Sequence, residues 1–143
     1  MDWVAVLSQG YLLSREDGLT VRVRLHQQRN QEPQAWLTIK AVPSFAAPAH
    51  ARVEYEYPIP FAEGQAILEM APCRLQKHRH GLLLPGGEWI VDVFQGENTP
   101  LVIAEVELQH PMDLVEIPSW CGKEITGFHQ LSNSALSLYP FQH

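Results

Sequence analysis

LVIAEVEL (101–108) alternates apolar with charged residues, as do VRVRL (21–25), LTIK (37–40) and RVEYEY (52–57). A repeat of two is the period of a β-strand that turns one face to a core and the other to something polar. An ordinary solvated face would mix Ser, Thr, Lys and Glu along each strand. Here the charges are sorted by strand: Arg22 and Arg24 on one, Arg52, Glu54 and Glu56 on another, Glu105 and Glu107 on a third. Guanidinium forks match phosphate oxygens, and neighbouring carboxylates match a hard divalent cation. The alternation predicts a polyphosphate-and-metal site lining the polar face of a β-structure.

The flanking sequence fills in the architecture. TVRVRLH (20–26) shares Thr20, Arg22, Arg24 and His26 on one face, and AWLTIKAV (35–42) shares Trp36, Thr38 and Lys40. VPSFAAPAHA (42–51) reads as a proline-punctuated loop long enough to serve as a flap. PFAEGQAILEMAP (60–72) is the best helix candidate, with a proline at its start, acids early and a proline stop. Gly64 is expected to weaken that helix modestly. KHRHGLLLPGGEWIVDVFQG (77–96) reads as a hairpin around Pro85, Gly86 and Gly87, and QGENTP (95–100) as a second turn. MDLVEIPSWCGKEIT (112–126) and SNSALSLYPF (132–141) read as short helices and loops. The expectation is a mainly β (α+β) chain of short antiparallel strands, a barrel or sandwich rather than an α/β sheet.

The 143 residues suffice for one domain, 1–143, with a core of its own. Hydrophobic content of 45% with 18% charged residues is that of a soluble globular protein. No apolar run approaches the roughly 18 residues of a membrane span, and MDWVAVLSQG lacks the basic region of a secretory signal. Cys73 and Cys121 lie far apart with no paired spacing, so buried thiols in a reducing cytoplasm are expected. A net charge of −6 argues against a general nucleic-acid binder, though not against a basic pocket in an acidic protein. His78 and His80 flank Arg79, but an isolated HxH on a strand is more often incidental than a zinc site.

With VRVRL, LTIK, RVEYEY, the KHR of Lys77–Arg79, WIVDVF, LVIAEVEL and GKEITG in that order, the chain resembles the CYTH superfamily, the triphosphate tunnel metalloenzymes. The resemblance runs from about Gln9 to about Leu136 and is carried by order and spacing rather than by one motif. Within that superfamily the chain looks most like the short bacterial single-domain members, among them inorganic triphosphatases and adenylate-cyclase-like proteins. The resemblance implies an eight-stranded antiparallel, tunnel-like barrel with a polar interior that holds a triphosphate. It implies that Arg22, Arg24, Lys40, Arg52, Lys77 and Arg79 cradle the phosphates, and that Mg²⁺ or Mn²⁺ sits on Glu105 and Glu107, with Asp92 nearby and Glu54 and Glu56 on the neighbouring wall. Strand alternation selects the cations and glutamates without help from the family.

Two departures stand out. The family's N-terminal ExExK strand, which supplies metal-binding glutamates and a lysine that assists catalysis, is missing, so Lys40 or Lys77 would have to substitute for that lysine. The position two before Asp92 is Ile90 where the family has an acid. Both losses fall on the metal side and leave room for one ion rather than two. A barrel short of its first strand is open, with two edges of unpaired backbone groups. WVAVL (3–7) could partly fill the gap, or a second copy could pair across it as a homodimer. The expected function is metal-dependent hydrolysis of tripolyphosphate or an organic triphosphate, with no membrane or nucleic-acid partner. The alternatives are a non-catalytic polyphosphate or nucleotide binder, a partner subunit, and, less readily, a cyclase.

Overall fold

The computed structural model describes residues 2–15, 17–41, 53–84, 87–106, 117–126 and 129–141. Seven strands form one antiparallel sheet: β1 (Trp3–Ser14), β2 (Thr20–Gln28), β3 (Gln34–Ala41), β4 (Val53–Ile59), β5 (Cys73–Leu84), β6 (Gly87–Phe94) and β7 (Val102–Val106). Their order across the sheet is β4-β3-β2-β1-β5-β6-β7. Hairpins make every neighbour except β1–β5, which pair across the return of the chain after helix α1 (Phe61–Met70).

The sheet is open, with β4 and β7 as its edges, as expected of an antiparallel barrel short of one of its eight strands. WVAVL does not patch an edge. It is the first half of the twelve-residue β1, which lies between β2 and β5 at the centre of the sheet. A flat sheet of this size would hold its edges roughly 29 Å apart. Yet one cavity of about 1210 Å³ is lined by Glu54 of β4 and Glu105 of β7 together. The sheet is therefore curled so that both edges face a common space.

Residues directly opposite one another in antiparallel strands share a face. Register sets Gln9 beside Arg24 and Tyr11 beside Arg22. It sets Arg22 beside Thr38 and Thr20 beside Lys40, then Thr38 beside Glu56 and Lys40 beside Glu54. On the other side Leu7 meets Lys77, Arg79 meets Asp92, and Ile90 meets Glu105. The polar face is thus continuous from edge to edge.

Helix α1 lies on the opposite face. A Cβ on Gly64 would come within 2.5 Å of the Ala35 Cβ and 2.8 Å of Leu25 Cδ2. The residue that propensity marks as a weak point is the one that lets the helix touch the sheet. A Cβ on Gly10 would likewise stand 2.7 Å from the Cβ of Ala71. The short helix α2 (Asn133–Leu138) lies on the cation-lined side, where Leu136 packs with Leu75 and Phe94. Asn98 ties down its C-terminal half and the segment after it, donating to the Leu136 carbonyl at 3.4 Å and accepting from the Phe141 N–H at 2.9 Å.

The hairpin at 77–96, the helix at 60–72 and the turn at 95–100 all form as the sequence predicts. The proposed flap at 42–51, the turn residues Pro85 and Gly86, and 112–116 lie outside the described residues, while 117–126 runs as turns and irregular chain where short helices were expected. Cys73 and Cys121 are free thiols, each half-buried rather than fully buried.

Candidate active site

The interior face carries two kinds of cation. On β5 and β6, Lys77 and Arg79 converge on Asp92. Lys77 is 1% exposed, and its Nζ donates to Asp92 Oδ2 at 2.7 Å and to Asn133 Oδ1 at 3.2 Å. It also sits 5.4 Å from the centre of the Phe94 ring. Arg79 clasps the same carboxylate with two parallel bonds, from Nε at 2.9 Å and Nη2 at 3.0 Å. The bidentate fork is the strong geometry for a guanidinium and a carboxylate. Burial raises the Asp92 carboxyl, but Arg79 and Lys77 together outweigh it and hold the group below the usual aspartate range. Burial pushes the Lys77 ammonium down to about 8, despite the pull of Asp92. Arg79 ends raised, because Asp92 and Glu105 outweigh its desolvation.

On β2 and β3 the cations have no such partner. Arg22 is buried; its Nη2 donates to Thr38 Oγ1 at 3.3 Å, and its Nε is buried with no hydrogen-bond acceptor among the described residues. Arg24 donates from Nε to Gln9 Oε1 at 2.8 Å. Among the described residues neither arginine, nor Lys40, forms an ion pair. Burial, then the fields of Arg22 and Arg79, lower Arg24 to about 10. Lys40 is lowered by burial and by Arg22, and Glu54 only partly compensates. Like charges gathered in a desolvated site raise one another's energy unless an anion enters.

The carboxylates occupy the rims. Glu105 is 65% exposed along its side chain, 3.9 Å from Arg79 Nη2. Glu54 and Glu56 are exposed on β4. Ile90 pairs with Glu105. Both oxygens of Asp92 are engaged by cations. No group of three or more His, Cys, Asp or Glu able to hold a metal ion occurs among the described residues.

Of the residues singled out from sequence, Arg22, Arg24, Lys40, Lys77, Arg79, Asp92, Glu54, Glu56 and Glu105 share the one face. Arg52 and Glu107 lie outside the described residues. Gln9, Tyr11, Thr38 and Asn133 also belong to the site and were not singled out. In LSQGYLL the interior positions are Leu7, Gln9 and Tyr11, with Ser8 and Gly10 facing out. That pattern inverts the apolar-out alternation of the neighbouring strands, so periodicity could not find them. Thr38 was legible as a face-mate of Lys40. Asn133 reaches Lys77 from 56 residues away, which no local signal encodes.

No family model matches the chain. It is 36% identical over 138 residues to an inorganic triphosphatase of Acetivibrio thermocellus, an alignment covering 94% of this chain and 81% of that protein. The chain belongs to the inorganic triphosphatase family. A second member, from Nitrosomonas europaea, is 29% identical over 136 residues, covering 92% of this chain and 83% of the relative. The crystal structure of an inorganic triphosphatase superposes with a TM-score of 0.70 at 28% identity, covering 96% of this chain and 88% of that one. The chain therefore shares the fold of that inorganic triphosphatase over most of both chains.

Proposed function

We propose that this chain is a triphosphate tunnel metalloenzyme of the CYTH superfamily, hydrolysing inorganic tripolyphosphate or an organic triphosphate with Mg²⁺ or Mn²⁺. The observation that carries the reading is the uncompensated charge of Arg22 and Lys40 on the wall of a large cavity, with Arg24 on the same face of the sheet. The relatives named inorganic triphosphatase supply the class of anion.

The residues fit a metal that arrives with its substrate. Mg²⁺ keeps several waters and is commonly held by one or two carboxylates plus substrate phosphates, not by an all-protein cage. Glu105, exposed on the cavity wall, would hold such an ion, with Glu54 facing it from β4. Asp92, with both oxygens on cations, would act as scaffold. Bound there, the ion would supply charge neutralisation at the phosphoryl group under attack. Phosphoryl transfer depends mostly on positioning and charge compensation. Arg22 and Arg24 would bind and orient the non-bridging oxygens, and Lys40 would hold one end of the anion near Glu54. Lys77, with its lowered proton affinity, would be the group best placed to share a proton.

Phosphate release from tripolyphosphate with Mg²⁺ or Mn²⁺, run beside Glu105→Ala, tests this. Metal-dependent release that disappears in the variant is expected. Unchanged release in the variant would remove Glu105 as the metal residue, and silence from the wild type would remove the hydrolase.

A second reading is a non-catalytic polyphosphate or nucleotide receptor, and the engagement of Asp92 by Lys77 and Arg79 favours it. Tripolyphosphate binding that survives EDTA, without turnover under any metal, would select it. We further propose a cytoplasmic location; no described helix is long and apolar enough to cross a membrane. Pairing of a second copy along β4 or β7 would cover an open edge, and sedimentation at high concentration tests it: a strict monomer would exclude the homodimer.

A further inference from the structure

Lys77 is buried in the wall, and one of its partners does not belong to the sheet. An ammonium has three N–H donors and no acceptor. One donor goes to Asp92 Oδ2 at 2.7 Å and one to Asn133 Oδ1 at 3.2 Å, while the centre of the Phe94 ring lies 5.4 Å from the nitrogen. Because Lys77 can only donate, the Asn133 atom that faces it must be the amide oxygen. The NH₂ end of that amide is then left over. Among the described residues it has no acceptor, and Asn133 is half-buried on the cavity wall. The packing of α2 holds the side chain there. Asn133 and Leu136 lie three apart on the helix and share a face. Leu136 is 1% exposed against Leu75 and Phe94, and its carbonyl accepts from Asn98. The contact that seats Leu136 on the β5–β6 wall therefore brings Asn133 to Lys77.

We infer that Asn133 carries the charge of Lys77 to the ligand: its amide oxygen accepts from the buried ammonium, and its NH₂ group donates to a phosphate oxygen. This rests on the triphosphate reading of the site and extends it from the sheet to α2. A hydrogen bond from an ionised donor polarises the amide, and successive bonds in such a chain strengthen one another at low dielectric. The bond to an anionic oxygen is itself charge-assisted. A neutral side chain with an ammonium behind it is thus a stronger donor than the same amide facing water. The chemistry demanded of the ligand at this point is an oxygen that accepts, which a free phosphoryl oxygen supplies.

The test uses the wild type, Asn133→Leu, Lys77→Met and the double variant, with sodium tripolyphosphate as the probe. Calorimetry gives the affinities, and ¹⁵N NMR reads the Asn133 side-chain NH₂ directly, assigned by through-bond correlation to its own backbone. We expect Asn133→Leu to bind about ten-fold more weakly. The double variant should lose less than the product of the two single losses, because the residues act as one chain. One NH₂ proton of Asn133 should move downfield as tripolyphosphate is added. If the wild type binds while both NH₂ protons stay still, Asn133 does not touch the ligand; the inference falls and the triphosphate site stands. Single losses that multiply would also overturn it, since Asn133 would then act without Lys77, and so would equal affinities for Asn133→Leu and the wild type. A wild type that fails to bind tripolyphosphate would overturn both the inference and the triphosphate reading. Should Asn133→Leu not fold, the wild-type resonance alone decides.

Discussion

On β2 and β3, Arg22, Arg24 and Lys40 form no ion pair among the described residues, whereas on β5 and β6 Lys77 and Arg79 share Asp92. Both walls line the same cavity and carry the same residue types, yet their chemistry differs. The β5–β6 wall is largely neutralised from within and is held rigidly: Lys77 has two acceptors and an aromatic ring, and Arg79 has both bonds of its fork on one carboxylate. The β2–β3 wall is a surplus of charge kept in place by neutral groups, Gln9 and Thr38. The first wall is built to be stable without a ligand. The second makes the empty site costly and the anion-filled site favourable. A cation's presence on the polar face does not by itself say which role it has; its partner does.

The largest expected effect is on the neutralised wall. Asp92→Ala leaves Lys77 and Arg79 buried without their counter-charge and should cost about 3–5 kcal/mol of unfolding free energy, read by urea denaturation. A loss below about 1 kcal/mol would erase the distinction between the walls. On the surplus wall the pattern should invert. Arg24→Met should weaken tripolyphosphate binding about 100-fold, while the thermal midpoint of the free protein stays level or rises, because a charge crowded by Arg22 and Arg79 has gone.

A third expectation concerns pH. The folded Lys77 ammonium titrates near 8 while the unfolded one titrates at its ordinary 10.5. Between those values the unfolded chain binds more protons, so stability of the free protein should rise as pH climbs from about 8 towards 10. Anion affinity should move the other way, falling several-fold over that window as Lys77 discharges, and Lys77→Met should flatten the fall. Parallel titrations of thermal midpoint and affinity check both signs; an affinity flat in the wild type would take Lys77 out of the binding set. The smallest effect on stability is that of Glu105→Ala. With its side chain largely exposed and 3.9 Å from Arg79, the carboxylate should contribute within about 0.5 kcal/mol to stability. Its loss should appear in metal-dependent turnover alone.

Much of this was readable in the chain. VRVRL, LTIK, RVEYEY and LVIAEVEL announce their faces because a strand alternates strictly by two, and register then has only one way to keep the polar set together. Pro60 and Pro72 bracket α1 for an equally local reason. LSQGYLL was not readable in this way: it puts Leu7 on the polar face and Ser8 and Gly10 outside, since the centre of a curled sheet is covered on both sides. Gly64 misled in the opposite sense. Helix propensity counts it a weakness, while the approach of Ala35 and Leu25 leaves no room for a side chain.

By itself, then, the sequence determined the alternating strands other than β1, the limits of α1 and the charged members of the interior face, because each follows from spacing over a few residues. Only the tertiary structure decided that β1 runs through the middle of an open sheet, that Asp92 belongs to Lys77 and Arg79, and that Asn133 reaches Lys77 across 56 positions of chain. It alone set the buried Gln9 between Arg24 of the next strand, from which it accepts, and Tyr11, to which it donates. Partnership and burial are properties of neighbours in space, and pairings between distant segments leave no periodic trace in the chain.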